Sequence, residues 1–547
     1  MAPPLLWPLR NDPWLDNGLE LWGCLLQDVA RQHPGLLSLQ WQGEGLLLEV
    51  PDPSPLVPLL DEAIVRWSER TLFYLSEREG VRRPVLLPFL GFNQQPPDQR
   101  PLPYLANAAK RQQLLRAVLE GAGEGGRPCP LCGSPIGRAP PSLTLSIYPL
   151  VTKNKAFSGA RTRWTGDGFE GRPTNVPVCP RCYLLGALAW ADDASLYLCD
   201  LGRNRDTAVV VLPSPLGSDL LALHAQKGAY RTHLQQERQR RTNVYFRRPA
   251  RKVAPTTPGD EQEQQQAATS EERAVAEGRF SLLLAFLEQC LWEVAEWEVA
   301  ERPLDYQALL EAARRTVPQG WLFITMPQGR MKNVTAHDLV LDEPTLQLLV
   351  RLVEAGIQPY AHILAQMGLA DDKGRLLYDP QAEMRETMAQ GILTGGFAIF
   401  ARAFLPRPRQ QLRLYGPLED PILTLVKEWR WKGMEEQLET VRKAGYALAE
   451  IAASRRQPVV LYNLERVRTR SDLLAVLREA VHRLIGLDAE EMRYISVAAI
   501  EELVQLANRD AVPFEDLKNT LFVFAGVAYA RKVIAQARAQ QGGEGDA

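Results

Sequence analysis

The chain has 547 residues, of which 46% are hydrophobic and 23% are charged, and its formal net charge is −2. This length is too great for a single core and predicts two to four domains. The near-neutral charge excludes a polycation that would hold nucleic acid through its overall field, so any such contact must come from local basic segments.

The amino-terminal stretch "MAPPLLWPLRNDPW" has no basic segment ahead of its apolar residues, and prolines interrupt those residues, so we expect no signal peptide. The most apolar stretches, 391–404 and 521–530, are too short to cross a bilayer. We therefore expect a cytoplasmic protein that has no membrane partner.

Residues 1–125 are predicted to form an N-terminal α/β part. Apolar residues at helical spacing predict helices at 14–33, 56–80 and 103–126. The segment "LLSLQWQGEGLLLEV" at 36–50 contains two strand-like runs around a glycine-containing turn, which is typical of a β-hairpin.

Four of the seven cysteines form two pairs, "CPLC" at 129–132 and "CPRC" at 179–182. Two residues between cysteines let a tight turn aim both sulfurs at one point, and two such turns give the tetrahedral thiolate shell that Zn²⁺ prefers. We predict one structural Zn²⁺ in a zinc-ribbon-like module over 126–190, because four protein ligands leave no open position. Its ligands are predicted to be Cys129, Cys132, Cys179 and Cys182.

The second pair runs directly into a helical apolar pattern, which places Cys182 near the start of a helix. A redox function for either pair is disfavoured, because two copies of such a motif would have to arise independently. The remaining cysteines lie in apolar surroundings and are predicted to be buried thiols: Cys24, Cys199 and Cys290.

The segment between the two pairs, 133–178, is longer than the usual insert of a zinc ribbon. It begins with strand-like alternation at 143–148 and then becomes basic and glycine-rich, with Phe157 and Trp164 among the basic residues. This interleaving suits phosphate contact with base stacking, whereas a solvated loop with packed aromatics explains it equally well. The candidate nucleic-acid contacts are Lys153, Lys155, Arg161 and Arg163.

Residues 191–252 are predicted to continue the α/β region, with a short strand at 206–213 and a basic arm at its end. The arm mixes arginines with Tyr245 and Phe246, a pattern typical of nucleic-acid binding, although a solvated helix end gives the same pattern. Its candidate contacts are Arg238, Arg240, Arg241, Arg247 and Arg248. The following segment, 253–273, is rich in Gln, Glu and Pro and is predicted to be a disordered linker or an exposed loop.

Residues 274–342 are predicted to return to the α/β core, with helix over 274–315 and a strand and loop over 320–333. The pair His337–Asp338 resembles the metal-binding dipeptide of HD-type phosphohydrolases, but the further ligands that such a site needs are missing. We expect this pair to cap the helix that begins near Glu343 or to lie in a loop.

Residues 343–540 are predicted to form an all-α C-terminal bundle, with helices at 343–355, 360–368, 380–404, 418–451, 471–484, 488–507 and 514–540. The predicted fold class is therefore α+β: a mixed α/β N-terminal region with an inserted zinc-ribbon-like module, followed by a helical bundle. Basic groups in the bundle are solvated helix ends or a face that follows a phosphate backbone. They include Arg407, Arg409, Arg413, Lys427, Arg430, Lys432, Arg455, Arg456, Arg466, Arg468 and Arg470.

Motifs of catalysis are missing from the sequence. It contains no GxxxxGK[ST], GxSxG or HExxH pattern, and its six histidines are scattered. The acidic pairs Asp192–Asp193 and Glu490–Glu491 adjoin helical patterns and are predicted to be first-turn or surface carboxylates. We expect a protein that is not an enzyme. A zinc-ribbon nucleic-acid-processing enzyme with an acidic site built from distant residues, and a structural scaffold protein, remain alternatives.

The order of these features resembles the large subunit of type I CRISPR effector complexes (Cascade), nearest to the zinc-containing I-B and I-A lineages. The resemblance is carried by "CPLCG" at 129–133, "NVPVCPRCYLLGALA" at 175–189 and "KNTLFVFAGVAYARKVI" at 518–534. The last of these is similar to the end of the small-subunit-like bundle. The long insert and the Gln-rich linker depart from the family pattern.

The resemblance implies a non-catalytic subunit that binds a crRNA complex and double-stranded target DNA, reads the protospacer-adjacent motif (PAM), helps unwind the duplex and stabilises the R-loop. Implied partners are the backbone, guide-5′-end-binding and small subunits, and a nuclease-helicase or a transposition adaptor. The insert and the 238–252 arm are candidate PAM readers, and the displaced strand is expected to follow Arg455, Arg456, Arg466, Arg468 and Arg470. In some relatives the bundle is also translated separately, for which Met384 and Met388 are suitably placed.

Overall fold

The computed structural model of the protein describes residues 4–71, 73–78, 81–86, 108–120, 127–136, 140–143, 147–149, 176–192, 194–201, 206–214, 219–236, 244–247, 278–299, 305–327, 335–372, 374–407, 409–454, 458–484, 495–509 and 512–543. The chain divides into two compact units. The first unit contains Met1–Arg251 and Arg314–Leu341, and the second contains Lys252–Ala313 and Asp342–Ala547. Among the described residues, no helix has both the length and the apolar character needed to span a bilayer.

The first unit begins with a three-stranded antiparallel sheet around a long helix. Strands β1 (Leu5–Pro8), β2 (Ser38–Gln42) and β3 (Gly45–Glu49) lie in the order β1-β3-β2, and helix α1 spans Pro13–Gln32. The helix begins where it does because the Asp12 carboxylate accepts hydrogen bonds from the backbone amides of Trp14 and Leu15. The predicted hairpin at 36–50 is confirmed, with Leu39 opposite Leu48.

The next segment corrects one helix boundary. Helix α2 covers Pro53–Thr71, and strands β4 (Phe73–Arg78) and β5 (Val81–Leu86) form an antiparallel pair. The prediction of helix as far as residue 80 is therefore wrong. The β-favouring residues Phe73 and Tyr74 pair with Leu86 and Val85 instead of extending the helix. Helix α3 follows at Ala108–Leu119.

The two cysteine pairs are joined through a short ladder. Strand β6 (Ser142–Leu143) pairs with β7 (Val176–Pro177), and helix α4 (Pro180–Leu188) follows, extended by a 3₁₀ turn at Ala189–Ala191. Helix α4 packs closely on α1, because Gly18 has no side chain: a Cβ at this position would lie 2.1 Å from the carbonyl oxygen of Leu185. The Trp14 indole of α1 donates hydrogen bonds to the carbonyls of Ile147 and Gly186, at 2.9 and 3.1 Å.

A five-stranded sheet completes the first unit. It contains β8 (Leu196–Leu201), β9 (Asp206–Ser214), β10 (Val244–Arg247), β11 (Gly320–Pro327) and β12 (Thr335–Val340), in the order β10-β8-β9-β11-β12. All neighbours are antiparallel except β10 and β8, and helix α5 (Leu220–Gln236) lies between β9 and β10 in sequence. The pair His337–Asp338 lies in β12, so the prediction that it caps a helix or lies in a loop is wrong.

The second unit begins with three helices, α6 (Arg279–Val299), α7 (Tyr306–Thr316, whose last three residues fall in the first unit) and α8 (Glu343–Glu354). The predicted helix at 274–315 is thus two helices. Asp342, not His337 or Asp338, caps α8, because its carboxylate accepts a hydrogen bond from the amide of Thr345 at 2.9 Å. A π-helical turn at Pro359–Ile363 and a 3₁₀ turn at Leu364–Gln366 follow.

The C-terminal region is helical but not all-α. Strand β13 (Met367–Ala370) pairs with β14 (Gln411–Leu414), which corrects the predicted helix at 360–368. The helices are α9 (Tyr378–Leu393), α10 (Phe397–Arg402), α11 (Glu419–Val426), α12 (Glu435–Ser454), α13 (Val459–Arg466), α14 (Arg470–His482), α15 (Val497–Asn508) and α16 (Phe514–Gly543). A π-helical turn at Lys427–Trp431 extends α11. The protein is therefore of mixed α+β class.

Candidate metal centre

The structure brings the four paired cysteines together. Their sulfur atoms all lie within 4.8 Å of one another, and the sulfurs of Cys132 and Cys179 are 3.5 Å apart. A tetrahedral zinc site with Zn–S bonds of about 2.3 Å would place its sulfurs roughly 3.8 Å apart. The donor set and its spacing are therefore compatible with a metal site.

The first pair is held by a tight turn. The amide of Cys129 donates to the carbonyl of Ser134, and the amide of Gly133 donates to the carbonyl of Cys129, both at 2.7 Å. Gly133 has a φ of 73°, a left-handed conformation that glycine adopts without steric cost. This glycine lets the chain reverse immediately after Cys132, so that both sulfurs of the pair face the same point.

The second pair lies at the start of α4, as the sequence predicts. Cys179 is the N-cap residue, and its sulfur accepts a hydrogen bond from the amide of Cys182 at 3.4 Å. The amide of Cys179 itself donates to the sulfur of Cys129 at 3.3 Å. Amide donors and a helix N-terminus both stabilise negative charge on sulfur, so this arrangement favours thiolates.

The four thiols cannot all ionise by themselves. The hydrogen bond from the Cys129 thiol lowers the pKa of Cys132, whereas the bond to the Cys129 sulfur raises the pKa of Cys182. Negative charge is therefore concentrated on part of the cluster, because four neighbouring thiolates repel one another. A divalent cation at the centre removes this conflict, and three of the four cysteines are buried, as a structural metal requires.

Arg181 lies between the two cysteines of the second pair and joins the cluster to β1. Its guanidinium lies 5.0 Å from the centroid of the Trp7 ring and donates to the carbonyl of Leu6 at 3.4 Å. Burial lowers the pKa of Arg181, and the nearby sulfur of Cys179 opposes that effect. The residue therefore provides a positive charge beside the thiolates and an anchor for the turn.

A buried ion-pair network follows directly after α4. Asp192, predicted to be a first-turn or surface carboxylate, is fully buried, so that prediction is wrong. Its two oxygens lie 2.7 Å from the Lys227 ammonium and 2.8 Å from the Arg231 guanidinium. The same two cations lie 2.7 Å from the oxygens of Glu20. Two carboxylates and two cations thus compensate one another inside the protein.

The network connects four parts of the first unit. Burial disfavours the charged form of Glu20, but Arg231 and Lys227 outweigh burial and hold the pKa of Glu20 well below its usual range. Asn17 accepts a hydrogen bond from Lys227 at 3.0 Å and donates to the carbonyl of Pro213 at 2.6 Å. Helix α1, the end of α4, helix α5 and the end of β9 are therefore held in one hydrogen-bonded cluster.

The network is not predicted from the sequence, although the spacing of its two cations along the chain is one sign of it. Lys227 and Arg231 are four residues apart and therefore lie on one face of α5. Their partners are 210 residues away in α1 and 35 residues away after α4. Separations of this size cannot be read from local spacing.

A second group of metal-ligating residues does not form a site. Glu20, Cys24 and His224 place one ligand atom each within 4.8 Å of the others. The Arg231 guanidinium is already 2.7 Å from Glu20 Oε1, and a second cation there would be repelled. Nor is this a catalytic triad, because the single atom His224 Nδ1 contacts both Glu20 and Cys24, at 2.9 and 3.8 Å.

The other cysteines follow the sequence prediction in part. Burial and the neighbouring Glu20 raise the pKa of the Cys24 thiol well above its usual value, so Cys24 is not an activated nucleophile. Cys290 is buried as predicted, and Cys24 is half-buried. The side chain of Cys199 lies outside the described residues.

Two more carboxylates lie close together near the cluster, but both cap α1. Asp16 accepts hydrogen bonds from the amides of Arg10 and Asp12, at 2.7 and 2.9 Å. Burial raises the pKa of Asp16 to about 7 and also raises the pKa of Asp12, which accepts a hydrogen bond from the Tyr148 hydroxyl. These carboxylates are occupied by the helix terminus, so they provide no acid–base pair for a substrate.

Most of the predicted nucleic-acid contacts lie outside the described residues. These are Lys153, Lys155, Arg161, Arg163, Arg238, Arg240, Arg241, Arg248, Arg455 and Arg456. The predicted linker at 253–273 and the pair Glu490–Glu491 also lie outside the described residues. Arg247 ends β10, and its side chain is not among those described.

The three described candidates differ in what their side chains do. Arg470 donates to the carbonyls of Ala507 and Val512, which ties α14 to the end of α15. Arg468 donates to the carbonyl of Glu465 at 3.0 Å. Arg466 is exposed. Arg466 and Arg468 are thus both exposed, whereas Arg470 is half-buried and engaged within the fold.

No protein-family model matches the chain, and no curated protein matches it in sequence.

Proposed function

We propose that this protein is a non-catalytic nucleic-acid-binding subunit stabilised by zinc, the large subunit of a type I CRISPR effector complex. The observation that carries the proposal is the four-cysteine cluster, whose second pair caps α4 within a mixed α/β unit. A helical region follows it in the chain. This is the arrangement that the sequence resemblance implies.

The metal at this cluster is proposed to be Zn²⁺, held by Cys129, Cys132, Cys179 and Cys182. Zinc bound by four thiolates acts as a structural cross-link, since no position is left for water or substrate. The cross-link joins the two ends of the basic insert, 133–178, at one point. Lys153, Lys155, Arg161 and Arg163 would then project from a fixed base.

The basic arm has a similar support. Helix α5 ends at Gln236, two residues before the arm begins, and Lys227 and Arg231 fix this helix to the buried carboxylates. An anchored helix holds the start of the arm in place, which lowers the ordering cost of binding. The arm and the insert are therefore proposed to contact the duplex at the PAM, with crRNA and the other Cascade subunits completing the complex.

Binding, rather than catalysis, is favoured by the described titratable groups. Asp12 and Asp16 are engaged at the start of α1, while Glu20 and Asp192 are paired with cations. Sequence recognition would then be delegated to guide–target pairing, and cleavage or integration to a recruited nuclease-helicase or transposition adaptor.

The test is binding of the full chain to a short fluorescent DNA duplex, measured by anisotropy over a salt series. Charge reversal of Arg238, Arg240, Arg241, Arg247 and Arg248 should reduce the slope of log K against log salt by up to about 4, since each lost phosphate contact removes about 0.9. The matched control reverses five exposed arginines elsewhere, Arg31, Arg116, Arg315, Arg478 and Arg509, and should leave most of the slope.

Three results would contradict the proposal. Equal slopes for the arm variant and the control would remove the arm from the interface. Duplex binding without any salt dependence would favour the scaffold alternative. Metal-dependent cleavage or transfer by the isolated chain, abolished by substitution of an acidic residue, would favour the enzyme alternative.

A further inference from the structure

A turn in the second unit exposes arginines on a tightly fixed backbone. The amide of Gln410 donates to the carbonyl of Arg407 at 3.1 Å, closing the turn between α10 and β14. Leu405 before the turn and Leu412 after it are buried and anchor its two ends. Arg407 and Arg409 are exposed, so both guanidiniums are presented to solvent.

Arg409 adopts a backbone conformation that arginine disfavours. Its φ is 60°, in the left-handed region, where the Cβ of an L-residue costs roughly 1–2 kcal/mol. Glycine or asparagine would occupy this position more easily. An arginine held at such a position suggests that its side chain, rather than the backbone of the turn, is what the site uses.

These arginines have no acidic neighbours in sequence. The segment 403–417, "AFLPRPRQQLRLYGP", contains three arginines and no carboxylate. Within the described part of the chain, no ion pair joins Arg407, Arg409 or Arg413 to an acid. Nearby arginines differ, since Arg375 pairs with Asp371 at 2.7 Å. Among the described residues, the turn and β14 therefore present three arginines that form no ion pair.

Aromatic rings adjoin this charge. Along β14 the side chains alternate, so Arg413 and Tyr415 lie on the face opposite to the buried Leu412. Tyr415 is 40% exposed and Tyr378 is 47% exposed. The Arg413 guanidinium lies beside Gly374, since a Cβ at this position would be 3.4 Å from Arg413 Nη2, an ordinary contact distance.

We propose that this surface, formed by Arg407, Arg409, Arg413, Tyr378 and Tyr415, binds single-stranded nucleic acid. Guanidiniums would contact phosphates, and the tyrosine rings would stack on unpaired bases. A duplex offers no free base face to such rings, and an acidic peptide would use the charges but not the stacking. The inference rests on the proposed nucleic-acid function but assigns a site separate from the arm and the insert.

The test uses the full chain and fluorescent 20-nucleotide dT and U oligomers, which distinguish a DNA strand from an RNA strand. Reversal of Arg407, Arg409 and Arg413 to Glu should lower the salt slope for the preferred oligomer by about 2 and its affinity at 0.1 M salt by on the order of 100-fold, from about 0.7 per contact. Tyr415→Ala should weaken binding roughly tenfold through lost stacking.

Two controls separate binding from folding. Arg409→Asn suits the left-handed conformation, so its melting temperature should equal or exceed that of the parent chain while its oligomer affinity falls about fivefold. The charge reversal of the arm at Arg238, Arg240, Arg241, Arg247 and Arg248 should lose duplex affinity and retain single-strand affinity. If only the arm variant gave an unexpected result and kept its duplex affinity, that result would contradict the proposed function and would not bear on the single-strand site.

The inference would be overturned if the triple reversal left the affinity for both oligomers unchanged. It would also be overturned if the same variant kept oligomer binding but lost affinity for a poly-glutamate peptide, which would identify the surface as a protein-docking site. A fall in melting temperature for Arg409→Asn that parallels its loss of binding would assign Arg409 a structural role instead.

Discussion

Glu20 of the first unit and Glu288 of the second are both buried, but their charge is controlled in opposite ways. In the first unit, Glu20 lies between Arg231 and Lys227, and although burial opposes ionisation, the two cations hold its pKa well below the usual range. In the second unit, Glu288 is also buried and accepts hydrogen bonds from the amides of Tyr360 and Ala361, at 2.6 and 3.1 Å. Burial raises the pKa of Glu288 to about 8.

Glu386 extends the contrast in the second unit. Its carboxylate accepts hydrogen bonds from the amides of Phe280 and Ser281, both at 2.9 Å, at the start of α6. Burial raises its pKa, and the two amides only partly oppose that effect. Buried cations thus keep Glu20 ionised, whereas backbone amides alone leave the pKa values of Glu288 and Glu386 raised, as they do for Asp16 in the first unit. The surroundings of Glu20 and of Glu288 should therefore respond differently to loss of a charge and to pH, and the first unit should also respond to metal removal.

The largest effect is expected from metal loss in the first unit. Cys182→Ala removes a sulfur from the cluster, and the chain should lose the zinc that we propose to bind there, together with several kcal/mol of stability, since structural zinc contributes about 10 kcal/mol or more in small domains. The measurement is zinc per chain together with calorimetric melting. Cys290→Ala, a buried cysteine of the second unit, is the control and should retain one zinc.

Two results would show that a metal at this cluster does not stabilise the first unit. The Cys182→Ala chain would still hold one zinc, or strong chelators would leave the melting curve of the parent chain unchanged. The comparison between the units would then rest on the ion-pair network alone.

The next effect concerns the buried cations. Lys227→Met leaves a negative charge uncompensated between Glu20 and Asp192, and breaking such a pair costs about 3–5 kcal/mol. The measurement is denaturant unfolding followed by a probe in the first unit. The control, Lys443→Met, breaks an exposed pair with Glu439 and should cost less than about 1 kcal/mol. Equal costs for the two variants would show that the network does not stabilise the first unit.

The smallest effect is the opposite pH response. Glu288 keeps its proton in the folded chain up to about pH 8, whereas the unfolded chain releases it near 4.5, so its contribution to stability is lost as pH rises between these values. The pKa of Glu20 is lowered in the folded chain, so Glu20 stabilises the fold above about pH 4.5, and this stabilisation is lost as the pH falls further. Hydrogen exchange of the amides around Glu288 at pH 5 and pH 8, and of those around Glu20 at about pH 3 and pH 5, measures the two trends.

Glu288→Gln should remove the part of the pH dependence of the second unit that arises from Glu288 between pH 4.5 and 8, and the part that arises from Glu386 should remain. The exposed Glu383 of α9 gives the matched control, Glu383→Gln, which should leave that dependence in place. A second unit that became more stable as pH rose over this range would contradict the assignment of a protonated Glu288.

Local patterns were enough for the parts of the fold that depend on near neighbours. The CxxC turns, the hairpin at 36–50 and the start of α4 at Cys179 all depend on residues within a few positions of one another. Hydrophobic spacing also located α1, α8 and α16 within about two residues at most of their ends. It failed at β4 and β13, where pairing with another strand decided between helix and strand.

The sequence by itself determined that four cysteines can meet, because their spacing fixes two turns that each aim a pair of sulfurs at one point. Only the tertiary structure decided that Asp192 is buried, because its partners Lys227 and Arg231 come from a helix 35 and 39 residues further along the chain. It likewise decided which arginines are engaged, as Arg470 is, and which are accessible, as Arg409 is. Charge and burial depend on what packs around a residue, and that packing is set by contacts between distant segments.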